Sequence, residues 1–303
     1  MKLSIIISIY NEEQVLNLFY QTLMDLLAKC DFDYELIFVN DGSIDASQEI
    51  IDTFSKDNKF VKSILFSKNF GHEAAMIAGI DYATGDALIC MDGDLQHPPT
   101  MIPSIVDIFI SDKVDIINMV RRNTKKNLFS SLFYKLLNKL CPYNIEANSS
   151  DFFLISKRIA WILRENYRER VRFLRGFIQI IGFKRIALEY DEGNRNAGKS
   201  KYSFRKLISL SVTAIATLSK MPLKAGIYIG FISIILSILL VIYSIIMKMI
   251  DQPVSGYTTI VVFLGFMFSI QFFILGVIGE YIGFLFDEQK KRPIYIVDKT
   301  TNF

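Results

Sequence analysis

Two uncharged apolar runs near the C-terminus constrain this chain more than any other feature. Ala225 to Met247 reads AGIYIGFISIILSILLVIYSIIM, and Ser255 to Gly279 reads SGYTTIVVFLGFMFSIQFFILGVIG. Each exceeds the roughly 20 apolar residues that a helix needs to cross a hydrocarbon core. A buried helix of a soluble domain is the competing reading, but two such runs, apolar on every face, argue against it. Only Lys248 to Val254 separates them, so a helical hairpin is predicted, with both chain ends on one side. Lys199, Lys201, Arg205, Lys206, Lys220 and Lys224 precede the first run, and Lys290, Lys291 and Arg292 follow the second. That basic bias predicts cytoplasmic termini and an external hairpin loop. No cleavable signal peptide is expected, because the apolar stretch in MKLSIIISIYNEE is too short and an acidic cluster follows it.

The rest of the composition fits a membrane-attached domain. The chain is 51% hydrophobic, and the excess is concentrated in the two runs. A net charge of +3 is too small to argue for nucleic acid. The basic residues cluster beside the apolar runs, where anionic lipid headgroups are the expected partner. The 3 cysteines, Cys30, Cys90 and Cys141, have no metal-ligand spacing and read as free thiols.

The first two hundred residues alternate short apolar runs with helical patterns. Strands are predicted over 3–9, 34–39, 61–66, 87–91 and 115–120, and helices over 12–28, 45–55, 73–83 and 100–109. This βαβα order predicts an α/β fold built on a mostly parallel sheet with flanking helices. Ligands of such sheets bind outside the carboxyl ends of the strands. Those ends carry Tyr10-Asn11-Glu12, Asn40-Asp41-Gly42-Ser43, Ser67-Lys68-Asn69, and then Asp92, Asp94 and Gln96. A strand that delivers two acids one residue apart suits a divalent cation held against a phosphate, since magnesium and manganese take hard oxygen ligands. An ordinary Asp-Gly turn is the alternative for that segment alone. Four polar strand ends on one edge favour the metal–nucleotide reading, because clustered carboxylates repel unless a cation neutralises them. There is no GxGxxG after the first strand, which argues against a dinucleotide-binding enzyme.

These residues together resemble the family 2 glycosyltransferases with the GT-A fold. Within them the chain is similar to the membrane-anchored polyprenyl-phosphate glycosyltransferases, the group of bactoprenol glucosyl transferases and dolichol-phosphate mannose synthase. The resemblance is carried by Tyr10-Asn11-Glu12-Glu13, Val39-Asn40-Asp41-Gly42-Ser43, Ser67-Lys68-Asn69-Phe70-Gly71-His72 and Asp92-Gly93-Asp94-Leu95-Gln96-His97-Pro98-Pro99. Phe173-Leu174-Arg175-Gly176 and Ala197-Gly198-Lys199-Ser200-Lys201-Tyr202 continue it. Within these motifs Asn40 replaces an acid and Lys68 an arginine; in addition Ser8 stands for a proline, and Phe153, in Ser150-Asp151-Phe152-Phe153, stands for an arginine.

The resemblance implies transfer of a sugar from a nucleotide diphosphate to a polyprenyl phosphate by inverting single displacement. Asp94 is the expected metal ligand with Gln96 second, for Mg2+ or Mn2+. Asp92 is expected to orient the ribose or assist the metal. Tyr10, Glu12 and Asp41 are expected to line the base and ribose pocket, although Glu12 also suits a helix start. Asp151 matches a position proposed as a base in relatives, and an orienting or electrostatic role is equally open. Arg121, Lys126 and Ser130 match acceptor-phosphate positions, with a solvated basic loop as the alternative. Arg195 and Lys201 are expected at the donor diphosphate. His72 is expected to cap or pack at a strand-to-helix turn, His97 to support the metal loop, and Trp161 to lie in the core.

The expected organisation is a cytosolic catalytic domain over 1–202 and an interfacial amphipathic helix over 203–222. Two transmembrane helices follow within 223–286, at about 225–248 and 257–283, and then a cytosolic tail over 287–303. A helix packed on the domain is the alternative for 203–222. The expected setting is the inner membrane, multi-pass, with the bilayer as partner and a homo-oligomer left open. The expected donor is UDP-glucose and the expected lipid undecaprenyl phosphate. Mannose, galactose, N-acetylhexosamines and aminoarabinose-type sugars are alternatives, because small pocket changes switch them. A processive polysaccharide synthase is disfavoured by the lack of a QxxRW motif and by only two spans. A non-enzymatic scaffold is disfavoured by the intact Asp92, Asp94 and Gln96.

Overall fold

Strand β1 (Lys2–Ile9) sits near the centre of the sheet, and Leu3 to Ile9 are buried on both of its faces. The computed structural model describes residues 1–122, 149–169, 173–193, 221–250 and 256–303. Within them the chain divides into two compact units: one holds the sheet together with Arg292–Phe303, the other the two long C-terminal helices.

The remaining strands of the first unit are β2 (Asp33–Asn40), β3 (Val61–Phe66), β4 (Ala87–Asp92), β5 (Ile116–Arg121), β6 (Ser149–Ser156), β7 (Arg185–Tyr190) and β8 (Val297–Thr301). They form an eight-stranded sheet in the order β7-β5-β6-β4-β1-β2-β3-β8. β1 pairs parallel with β2 and β4, β2 with β3, and β5 with β7. β6 runs antiparallel between β4 and β5, and β8 runs antiparallel on β3. An antiparallel β6 between two like-directed strands brings its N-terminus to the edge where they end. The carboxyl ends of β1, β2, β4 and β5 and the start of β6 therefore share one edge.

The helices are α1 (Leu16–Leu27), α2 (Ser47–Asp57), α3 (His72–Tyr82), α4 (Ile102–Asp112), α5 (Lys157–Asn166) and α6 (Leu174–Ile180). α1 buries Leu16, Phe19, Leu23 and Leu27, the spacing of one helical face. It starts four residues later than the pattern predicts. Asn11 turns left-handed at φ 56, and its side chain accepts the Ile44 N–H at 2.9 Å, so the chain leaves β1 through a turn tied to the β2–α2 loop. α3 has no polar face along its middle: Ala74 to Ile80 are all buried. Small residues let it press on the sheet, and a Cβ on Gly79 would collide with the Ile6 side chain. That close approach fixes the first residue of α3 relative to β1.

The segment read as a tail supplies the edge strand β8. Tyr295 stacks on Phe66 at 5.1 Å, and its hydroxyl donates to Asp81 at 2.7 Å. Lys299 pairs with Asp52 at 3.0 Å. Phe153, in place of the family arginine, is 1% exposed within β6, where no substrate reaches it. Trp161 corrects its expectation: it lies on α5 at 59% exposure, outside the core.

The opposite edge of the sheet is pinned by a buried carboxylate. Glu35 accepts from Ser4 Oγ at 2.6 Å and from the Thr84 N–H at 2.7 Å, and pairs with Lys2 and Lys62 at 2.9 Å each. Burial pushes its pKa up, but these donors outweigh it and hold the pKa at about 2. A depressed carboxylate pKa stabilises the fold above the unfolded value near 4.5, and that stability is lost as pH falls towards 2. The gap corresponds to about 3 kcal/mol. Glu35→Gln is expected to lose this amount near pH 7, measured by denaturant unfolding in detergent, and the difference from wild type should shrink below pH 4.5.

In the second unit, α7 (Met221–Met249) and α8 (Tyr257–Gln289) contain the apolar runs. Leu223–Met247 and Val262–Gln289 are long and apolar enough to cross a membrane, and 6% and 0% of their most apolar windows are buried. Ile227, Phe231, Leu239, Phe266, Phe272 and Phe273 are exposed, as lipid-facing side chains would be. The predicted interfacial segment lies outside the described residues over 203–220.

Candidate active site

The shared edge gathers the acidic residues that the sequence singles out. β4 ends on Asp92, and Asp94 follows it, 8% exposed, accepting the Gln96 N–H at 3.0 Å. Leu95 between them is left-handed at φ 66, a strained conformation for a bulky residue. The Gln96 carbonyl accepts the Gly193 N–H at 3.1 Å, which ties the acidic loop to the segment after β7.

Asp41 is buried, and its carboxylate accepts from the Phe70 N–H at 2.6 Å and the Gly71 N–H at 2.9 Å. It thus anchors the turn that launches α3, where Gly71 takes φ 100. Tyr10 is exposed at the end of β1. The Glu12 carbonyl accepts the N–H groups of Val15 and Leu16 at 3.1 Å each, which opens α1. Arg121 ends β5; its Nε donates to the Tyr190 hydroxyl at 3.3 Å and lies 3.4 Å from Glu192. Lys126, Ser130, Arg195 and Lys201 lie outside the described residues.

Sequence reasoning missed the residues that connect these acids. His72 stands between Asp92 and Asp151, with Nδ1 3.4 Å from Asp92 Oδ1 and Nε2 3.6 Å from Asp151 Oδ2. Ser8 Oγ donates to Asp92 Oδ1 at 3.1 Å and lies 2.8 Å from His72 Nδ1. Because the Ser8 proton goes to Asp92, His72 Nδ1 must donate to Ser8. Nε2 faces the Asp151 carboxylate, beyond hydrogen-bond distance. Carboxylates on both sides of the ring favour its protonated form. Burial opposes that charge, but Asp92 and Asp151 outweigh it and push the pKa up to about 10. Arg175 flanks Asp151 from the other side, with Nη2 donating to Oδ2 and Nε beside Oδ1, both at 3.3 Å. Burial would raise the Asp151 pKa, yet Arg175 and His72 hold it well below the usual carboxylate range.

His97 has the opposite character. It is fully buried and stacked on Phe152 at 5.2 Å. Its Nδ1 accepts the Asp92 N–H at 2.9 Å, so the proton sits on Nε2. Burial lowers its pKa, and the ring is neutral. The signals that could have exposed this cluster were Ser8 at a proline position and Arg175 in a motif that had no assigned role.

The mixed, mostly parallel sheet has the GT-A fold of its solved neighbours. Among solved structures, glucosyl-3-phosphoglycerate synthase from Mycobacterium tuberculosis, in complex with Mn2+, UDP and glucosyl-3-phosphoglycerate, superposes with a TM-score of 0.51 at 17% identity. That match covers 72% of this chain and 78% of the other, and it supports the fold alone. The family model for Glycosyl transferase family 2 matches residues 4–164. An uncharacterized glycosyltransferase, YkcC, from Bacillus subtilis (strain 168) is 37% identical over 98% of this chain and 93% of its own length. The SfII prophage-derived bactoprenol glucosyl transferase of Shigella flexneri is 35% identical over 99% of this chain and 98% of its own. The chain belongs to glycosyl transferase family 2 and is a glycosyltransferase. Its similarity to the bactoprenol enzyme extends through both apolar helices.

Proposed function

We propose that the protein transfers glucose from UDP-glucose to undecaprenyl phosphate at the cytoplasmic face of the membrane. The observation that carries this reading is the acidic sheet edge on a chain that also holds two membrane-length helices. The helices keep the catalytic domain at the surface where a lipid phosphate sits, while the donor arrives from water. The likeness to a bactoprenol glucosyl transferase supports both the lipid and the sugar.

The donor set at the edge suits a hard divalent cation. Among the described residues no three His, Cys, Asp or Glu side chains form a ready-made metal cage. Asp94 and Gln96 offer a carboxylate and a carboxamide oxygen, and Mg2+ or Mn2+ commonly fills its remaining positions with water and substrate phosphates. When bound, such an ion neutralises charge on the departing nucleoside diphosphate.

The chain's own residues do the rest. Asp92 orients the ribose, and Tyr10 and Glu12 flank the nucleotide. Asp41 holds the β3–α3 turn against it. Arg195 and Lys201 bind the donor diphosphate. Arg121, Lys126 and Ser130 bind the acceptor phosphate, which is already an anion near neutral pH and needs little help from a base. Its oxygen attacks the anomeric carbon as the bond to UDP breaks, so an α-linked donor yields a β-linked lipid product. The test is to incubate membranes containing the protein with a panel of radiolabelled nucleotide sugars and to identify the labelled lipid. Label entering from UDP-glucose supports the reading, and label entering only from another donor reassigns the sugar.

Both termini lie in the cytoplasm in this reading, as the basic flanks require. With Cys30, Cys90 and Cys141 replaced, Ser255→Cys is expected to react with a membrane-impermeant maleimide in intact cells. Reaction only after lysis would reverse the topology.

A further inference from the structure

Two carboxylates on adjacent strands, Asp92 at the end of β4 and Asp151 at the start of β6, face one imidazole. Like charges this near repel, and one of them ordinarily takes up a proton or turns away. Here the His72 ring stands between them, with Nδ1 towards Asp92 and Nε2 towards Asp151. We propose that His72 is a positioning residue, a bridge that sets the spacing of Asp92 and Asp151 across the β4–β6 junction. This inference rests on the glycosyl-transfer reading above and deepens it by giving Asp92 and Asp151 a common fixture.

Three features hold the bridge in place. Asp41 grips the Phe70 and Gly71 N–H groups, so the turn before His72 cannot drift. α3 is pressed on β1 at Gly79 and Ile6. Ser8, on β1 itself, joins the His72 ring to Asp92. Arg175 completes the arrangement by holding the far side of Asp151. The imidazole thus receives its position from β1, the β3–α3 turn and α3, and passes it to carboxylates on β4 and β6. The β4–β6 ladder already holds the two strands together, and His97 lies 3.6 Å from Asp92, so the bridge acts on the two side chains. A shift of about 1 Å in a reacting group can cost about a hundredfold in rate, so a residue that touches no substrate can still govern turnover.

The test uses the full-length protein in detergent, with His72→Ala, His72→Gln and Ser8→Ala as variants. Two rates are read: sugar transfer to lipid, and slow release of UDP from the donor to water, which needs no lipid. His72→Ala is expected to lower kcat about a hundredfold while the donor KM stays within about threefold. Added imidazole should restore several-fold of that loss in His72→Ala, which has room for it, and none in His72→Gln, whose amide fills part of the space. Ser8→Ala should give a smaller loss of the same kind. Wild-type kcat in His72→Ala, a loss confined to donor KM, or folded His72→Ala without imidazole rescue would overturn the bridge. If His72→Ala does not fold, His72→Gln and Ser8→Ala decide by the same kcat-against-KM split. If wild type releases UDP but labels no lipid, the acceptor assignment fails, while the UDP-release rates still rank the variants and judge the bridge.

Discussion

Asp94→Asn is expected to lower kcat/KM by about three orders of magnitude while the protein stays folded. The asparagine Oδ1 still accepts the Gln96 N–H, now made at 3.0 Å, so the strained loop keeps its local bond. What disappears is the negative charge and the hard anionic ligand. Lewis-acid stabilisation contributes several kcal/mol to such transfers, and each 1.36 kcal/mol is tenfold in rate, which gives the expected size. Excess chelator should abolish wild-type activity, and added Mg2+ or Mn2+ should restore it. A tenfold loss or less in Asp94→Asn, or full activity in chelator, would contradict the metal assignment.

Arg121→Ala carries a large effect that is specific to one substrate. Arg121 ends β5 on the same edge as Asp94, and its contacts to Tyr190 and Glu192 run through Nε, which fixes the plane of the guanidinium. A fork held in one plane suits a phosphate. A charge-assisted hydrogen bond contributes about 1.5–3 kcal/mol, so a ten- to hundredfold loss in kcat/KM for the lipid acceptor is expected, with UDP affinity by calorimetry close to wild type. Lost UDP affinity with unchanged acceptor kinetics would move Arg121 to the diphosphate.

The parts of the fold that the sequence makes legible are those with local causes. β1 to β5 are β-branched apolar runs ending in turn formers, and each lies within a residue or two of its predicted bounds. α1 begins late because Asn11 is bonded to Ile44, a contact that no periodicity encodes. β6 sits between β4 and β5 through pairings with strands far earlier in the chain, which a local pattern cannot express. β8, with the sequence VDKTT, has no apolar pattern at all and owes its place to Tyr295, Lys299 and the open edge of β3. The site divides in the same way. Asp92 and Asp94 announce themselves by ending a buried strand. His72 reads correctly as the start of a helix, but its partner Asp151 arrives with β6, which no local pattern shows. Arg175 comes from a still later helix, and only the fold shows that it holds Asp151.

The central claim is that a lipid phosphate is the nucleophile. The most direct measurement supplies the purified protein with UDP-[14C]glucose and either undecaprenyl phosphate or undecaprenol, then counts label in the organic phase. The account predicts label only with the phosphate, in a product whose sugar is released by mild acid. Equal labelling of undecaprenol, or label that enters a polymer instead of either lipid, would contradict it.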